Sequence, residues 1–270
     1  MPFGQIRDIT LYYEIVGSGP RLLFINGTGA DLRRRQPYVD TLNDHFTVLR
    51  YDQRGLGQTE KPDKHYSMAD YADDAAALMD LIGWNDAAVL GVSFGGSVAQ
   101  ELARRHPTRI TRLALACANP GGPFGYPLLD LHDRDAETRA RTMLSLDLRK
   151  SAEWQAAHPE ETAKLLATGR KRGGPVDPSD PHAAMGARRQ LEAREEHDAR
   201  EWLDQITVPV GLFGGRYDRL GTEAGQRFMA ERIAGSEMQL FEGAHGFLNE
   251  DPAAVPAVIA FLAKDATARS

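Results

Sequence analysis

Apolar residues fall into short, nearly unbroken runs, separated by longer stretches where they recur every three or four positions. Thr10 to Val16 (TLYYEIV) is rich in β-branched and aromatic residues and is closed by Gly17-Ser18-Gly19-Pro20, which predicts a strand running into a turn. Leu22 to Ile25, Thr47 to Tyr51, Ala87 to Val92, Leu113 to Ala118 and Val208 to Phe213 read as buried strands. Gln239 to Phe241 reads as a shorter one. Between Ser67 and Ile82 the spacing is helical instead. Ser67 with Asp70 predicts a capping box at its start, and Gly83 a stop at its end. Val98 to His106 and Pro252 to Ala263 read as further helices. Strands apolar on both faces that alternate with helices predict an α/β core, with helices on both sides of a mostly parallel sheet.

The rhythm breaks at Asn119. From there to about residue 203 the chain opens with Pro120-Gly121-Gly122-Pro123 and then turns polar and helical, before Val208 restores a strand. The expected organisation is one core, residues 1–118 and 204–270, interrupted by a helical insertion over 119–203. No internal repeat at solenoid spacing is present.

Composition adds exclusions. Of 270 residues 42% are hydrophobic and 26% charged, as in an ordinary globular protein. The formal net charge of −6 lacks the basic excess that a nucleic-acid partner requires. The basic runs Arg33-Arg34-Arg35 and Arg170-Lys171-Arg172 are short and read as solvated surface. The single cysteine, Cys117, excludes an intrachain disulfide and reads as a small buried hydrophobe. No stretch resembles a leader or a membrane span, so a cytoplasmic protein with no membrane partner is expected. A homodimer is compatible with everything in the sequence.

The candidate chemistry begins at "LGVSFGGS", where Ser93 follows a predicted strand and precedes a helix. So sharp a turn strains the serine backbone and exposes its hydroxyl, and side chains at positions 91 and 95 would collide, which explains Gly91 and Gly95. The same pattern also describes a plain turn with a capping serine. A nucleophile therefore needs a base and an orienting carboxylate elsewhere. Both are present: Asp218 lies in the loop after Val208 to Phe213, and His245 in the loop after Gln239 to Phe241. In a parallel sheet these loops gather at one edge. Glu242 is a rival for the carboxylate, and Asp251 reads as the N-cap of the last helix. Backbone N–H donors for an oxyanion are expected from Phe94, after the serine, and from Thr28 in "NGTGAD".

Other signals read as structure. His106 sits at a helix end, and His132, His158, His182 and His197 lie in the polar insertion with no metal-ligand spacing. Gly27-Thr28-Gly29 with Asp52 mimics a dinucleotide fingerprint, but Leu32 occupies the place of the third glycine. No cofactor or metal is expected. Phe124, Tyr126, Leu128, Met143 and Trp154 are candidate walls of a substrate pocket.

At this point the chain resembles the α/β-hydrolase superfamily. The residues that carry the likeness are "LLFINGTG" (22–29), "YDQRGLGQTEKP" (51–62), "GVSFGG" (91–96), "FGGRYD" (213–218) and "EGAHGFLNEDP" (242–252). The resemblance implies an eight-stranded, mostly parallel sheet, a helical cap after the sixth strand, and a Ser93–His245–Asp218 triad acting without a cofactor. Many members carry His-Gly where this chain has Asn26-Gly27. Ser93 also differs from the aspartate nucleophile of epoxide hydrolases and haloalkane dehalogenases. The Asn26 loop and "RYDQRGLGQTEKP" are similar to 3-oxoadipate enol-lactonase relatives, implying a small ester or lactone as substrate. The same fold also serves ligand receptors, lyases and peroxidase-like activities, so a non-hydrolytic alternative stays open here.

Overall fold

A computed structural model describes residues 2–172 and 177–264. The strands are β1 (Phe3–Ile6), β2 (Ile9–Val16), β3 (Arg21–Ile25), β4 (Thr47–Tyr51), β5 (Ala87–Val92), β6 (Ile110–Ala116), β7 (Val210–Gly215) and β8 (Glu237–Phe241). They form an eight-stranded sheet in the order β1-β2-β4-β3-β5-β6-β7-β8. The first two strands run antiparallel to their neighbours, and all pairings from β4 to β8 are parallel. This is the α/β architecture that the alternating runs predict.

Alternation along each strand sends successive side chains to opposite faces. Leu23 and Ile25 join the core beneath helices α2 (Met68–Leu81) and α3 (Phe94–Arg105), while Leu22 and Phe24 join the one beneath α1 (Pro37–Asn43). The segment after β6 supplies α4 (Leu128–His132), α5 (Ala136–Ser145), α6 (Ala152–Ala157), α7 (Pro159–Arg172) and α8 (Ala183–Glu195). Helices α9 (Glu223–Arg232), α10 (Phe247–Glu250) and α11 (Ala254–Leu262) complete the chain. Among the described residues no helix is long and apolar enough to cross a membrane.

Several local expectations need adjustment. The strand β1 carries no apolar run, and its partner β2 supplies all its pairing. The last helix starts at Ala254, so Asp251 is not its N-cap. Its carboxylate instead accepts the N–H groups of Ala253 and Glu242, both at 2.8 Å, and ties the loop after β8 to the helix entry. The capping box at Ser67 is present, with both reciprocal bonds formed. Arg170 pairs with Glu137, while the side chains of Lys171 and Arg172 lie outside the described residues.

The motif around Arg54 has a structural explanation. Its guanidinium is fully buried, donates to both carboxylate oxygens of Asp74 on α2 at 2.8 Å, and also pairs with Asp8 in the β1–β2 turn. Removing one partner of a buried pair leaves an uncompensated charge. Asp74→Ala is therefore expected to lower the unfolding free energy by about 3–5 kcal/mol in urea titrations. A loss below about 1 kcal/mol would mean that Asp8 alone satisfies Arg54.

The helix α8 seats the insertion on the core. A Cβ on Gly186 would lie 2.0 Å from the Gly55 carbonyl oxygen, so the two backbones touch directly. One turn further, the fully buried Gln190 accepts the Gly29 N–H at 2.8 Å. The glycine loop after β3 is thus held by a residue of the insertion.

Candidate active site

The chain passes from β5 to α3 in a single residue. Ser93 has φ 55° and ψ −117°, a conformation L-residues avoid. The crowding explains its neighbours. A Cβ on Gly91 would lie 2.4 Å from the Gly95 carbonyl oxygen, and one on Gly95 would lie 2.1 Å from that of Ile25. The first turn of α3 therefore packs against both its own strand and the end of β3. No side chain fits at either position.

Asp218 and His245 arrive from the loops after β7 and β8. Asp218 is 3% exposed; its Oδ1 accepts the Leu220 N–H at 2.7 Å, which leaves Oδ2 for His245 Nδ1 at 2.8 Å. An ionised carboxylate only accepts, so Nδ1 carries the proton and Nε2 presents its lone pair. That lone pair faces Ser93 Oγ at 2.9 Å. Burial favours the neutral imidazole, but the Cys117 sulfur and the Asp218 carboxylate beside it outweigh burial and raise the His245 pKa well above the ordinary histidine value. Glu242 takes no part. It is 66% exposed and pairs with Arg216 at 3.2 Å.

The Phe94 N–H, first in α3, and the Thr28 N–H, in the loop after β3, have no protein acceptor among the described residues. Asn26, before Gly27, is held within that loop. Its side-chain oxygen accepts from Gly27 N–H at 2.8 Å and from Gln36 Nε2 at 3.1 Å. The dinucleotide reading fails on the same loop. No helix opens at Gly29, and Asp52 is occupied by the N–H groups of Leu32 and Gln58 at 2.7 and 2.9 Å.

Ser93 and His245 open into a cavity of about 180 Å³. Of the candidate walls, Tyr126 and Leu128 line it, whereas Phe124, Met143 and Trp154 do not. Phe124 packs on Phe228 of α9, with ring centroids 5.1 Å apart. Met143 is 43% exposed, and Trp154 is stacked on His158 beneath the Lys150 ammonium. Among the lining residues that escaped the sequence reading of the site are Cys117, Arg194 and His197. Cys117 is buried as expected but holds φ 42° at the end of β6, beside the reacting groups. His197 is buried, and burial pushes its pKa down to about 4, so it is neutral near pH 7. Its place in a polar run gave no signal of that burial. Among the described residues no group of three or more His, Cys, Asp and Glu side chains is placed to hold a metal ion.

Comparison with known proteins agrees with this fold. A family model described as alpha/beta hydrolase fold matches residues 20–252. The 3-oxoadipate enol-lactonase 2 of Acinetobacter baylyi is 28% identical over 263 residues, covering 92% of this chain and 91% of that protein. The poly(3-hydroxyalkanoate) depolymerase of Ectopseudomonas oleovorans is 27% identical over 256 residues, covering 90% and 84%. Among solved structures, the enol-lactonase from Burkholderia xenovorans superposes with a TM-score of 0.76 at 27% identity, over 97% of this chain and 99% of that one.

Proposed function

This chain belongs to the alpha/beta hydrolase fold family, and from that membership we propose that it is a serine hydrolase cleaving a small-molecule ester or lactone through an acyl-enzyme. The observation that carries the reading is the hydrogen-bonded line Ser93–His245–Asp218. Ser93 Oγ attacks the carbonyl carbon as its proton passes to His245 Nε2. The Asp218 carboxylate stabilises the imidazolium so formed. The oxygen of the tetrahedral intermediate takes up negative charge and is received by the Thr28 and Phe94 N–H groups. Collapse of the intermediate breaks the C–O bond, and His245 returns the proton to the leaving oxygen. In a lactone that oxygen stays tethered to the acyl group. Water, deprotonated by His245, then attacks the acyl-enzyme and restores Ser93.

Similarity to an enol-lactonase and a polyhydroxyalkanoate depolymerase supports an oxygen-ester substrate. Aryl esters of increasing acyl length, measured beside a panel of lactones, test this reading. Steady turnover supports it; one slow turnover followed by arrest would favour a ligand receptor on the same fold. The pH profile is a sharper test. His245 acts as base only when neutral, and its pKa is raised above 6.5. The rising limb of kcat/KM is therefore expected above pH 6.5, alkaline of an unperturbed histidine. Asp218→Asn removes the negative charge and should move the residual limb to lower pH. A wild-type limb at or below about pH 6 would contradict the charge balance described.

A further inference from the structure

Many arginines among the described residues sit on carboxylates. Arg7, Arg33, Arg54 and Arg149 each pair with at least one aspartate, which raises their pKa. Arg194, in the last turn of α8, does not. Its recorded hydrogen bond runs from Nη1 to the Tyr126 carbonyl oxygen at 2.6 Å. Among the described residues no carboxylate oxygen lies within 4.0 Å of its guanidinium, and burial lowers its pKa by more than the nearby Glu195 carboxylate raises it. It lines the cavity that holds Ser93 and His245, where it is the only arginine or lysine among the described lining residues.

The surroundings compensate the charge only in part. His197, three residues on, is neutral, and its Nε2 has no protein partner. Glu195 also lines the cavity and attracts the guanidinium, but it is exposed and makes no hydrogen bond or ion pair with Arg194. A desolvated cation with no carboxylate in contact is costly unless something brings one. The planar guanidinium fork matches a carboxylate, which it can hold through two parallel hydrogen bonds.

Building on the serine-hydrolase reading, we propose that Arg194 recognises a carboxylate, and that the substrate of this site is an ester or lactone bearing one. The carboxylate seats on Arg194 and the scissile carbonyl meets Ser93.

Two aryl esters of equal acyl chain length test this: mono-p-nitrophenyl glutarate, which carries the carboxylate, and p-nitrophenyl pentanoate, which does not. The wild-type protein is expected to favour the glutarate ester by about tenfold or more in kcat/KM. Arg194→Gln keeps an N–H for the Tyr126 carbonyl but loses the charge, and should lower the ratio of the two kcat/KM values by about 10- to 100-fold. Arg194→Lys should give an intermediate ratio. An unchanged ratio, with both esters affected alike, would mean that Arg194 only props the cavity through Tyr126 and would overturn the proposal. So would a wild-type preference for pentanoate. Calorimetric titration of glutarate into Ser93→Ala separates this from the catalytic reading. Saturable binding, lost when Arg194→Gln is added, is expected. No binding overturns the carboxylate site even if esters turn over. Binding without turnover of any ester or lactone overturns the hydrolase reading and leaves the carboxylate site standing.

Discussion

Ser93→Ala is expected to lower kcat on a small aryl ester by about 10⁴- to 10⁶-fold and to abolish labelling by a fluorophosphonate. The size follows from the geometry. The hydroxyl is the group that His245 Nε2 faces, at 2.9 Å, and without it no covalent intermediate forms. The residual rate comes from binding and from the N–H donors at Thr28 and Phe94. Stability should change little, because the imidazole left behind is 30% exposed and water can replace the lost bond. Ser93→Gly makes the complementary case. At φ 55° and ψ −117° any side chain is strained, so glycine should be equally inactive yet more stable by about 1–3 kcal/mol in denaturant. Labelling at another residue, or an alanine variant near wild-type activity, would remove Ser93 from the mechanism.

Asp218→Asn should cost about 10⁴-fold in kcat while leaving the fold intact. Asp218 Oδ1 is pinned by the Leu220 N–H at 2.7 Å, so the introduced amide keeps its oxygen there and turns its NH2 toward His245 Nδ1. Two donors cannot face each other. The imidazole must then place its proton on Nε2, where it blocks uptake of the serine proton. His245→Ala should lose about 10³-fold or more by removing the base itself. Glu242→Gln is the control: an exposed carboxylate on Arg216 should matter little, and a loss matching Asp218→Asn would transfer the orienting role to it.

What the sequence discloses and what it hides divide along a physical line. The strand-to-helix turn at Ser93 was legible because Gly91 and Gly95 answer contacts made within a few residues or with an adjacent strand. Asp218 and His245 were legible because each follows a recognisable strand, and a parallel sheet brings such loops together. The helical segment between β6 and β7 showed as a change of composition. Its inner wall did not. Arg194 sits in a run of charges that looks like any solvated helix end, and only the docking of α8 turns it toward the cavity. Phe124 looked like a wall because it is apolar, but its partner Phe228 lies far along the chain and no local pattern announces it. The strand β1 was hidden for a simpler reason: four residues at a sheet edge, paired on one side, carry no run of apolar positions.

The order of strands also governs when the protein becomes active during its own synthesis and refolding. Ser93 and His245 are 152 residues apart, and His245 follows the outermost strand, β8, which pairs with β7 and with no other strand. A growing chain can complete β3, β4 and β5 and present Ser93 long before its base exists. Non-local parallel pairing is also the slow part of assembling such a sheet. Enzymatic activity is therefore a timer for the last docking event, and should return after the far-ultraviolet signal of the helices when unfolded protein is diluted from denaturant.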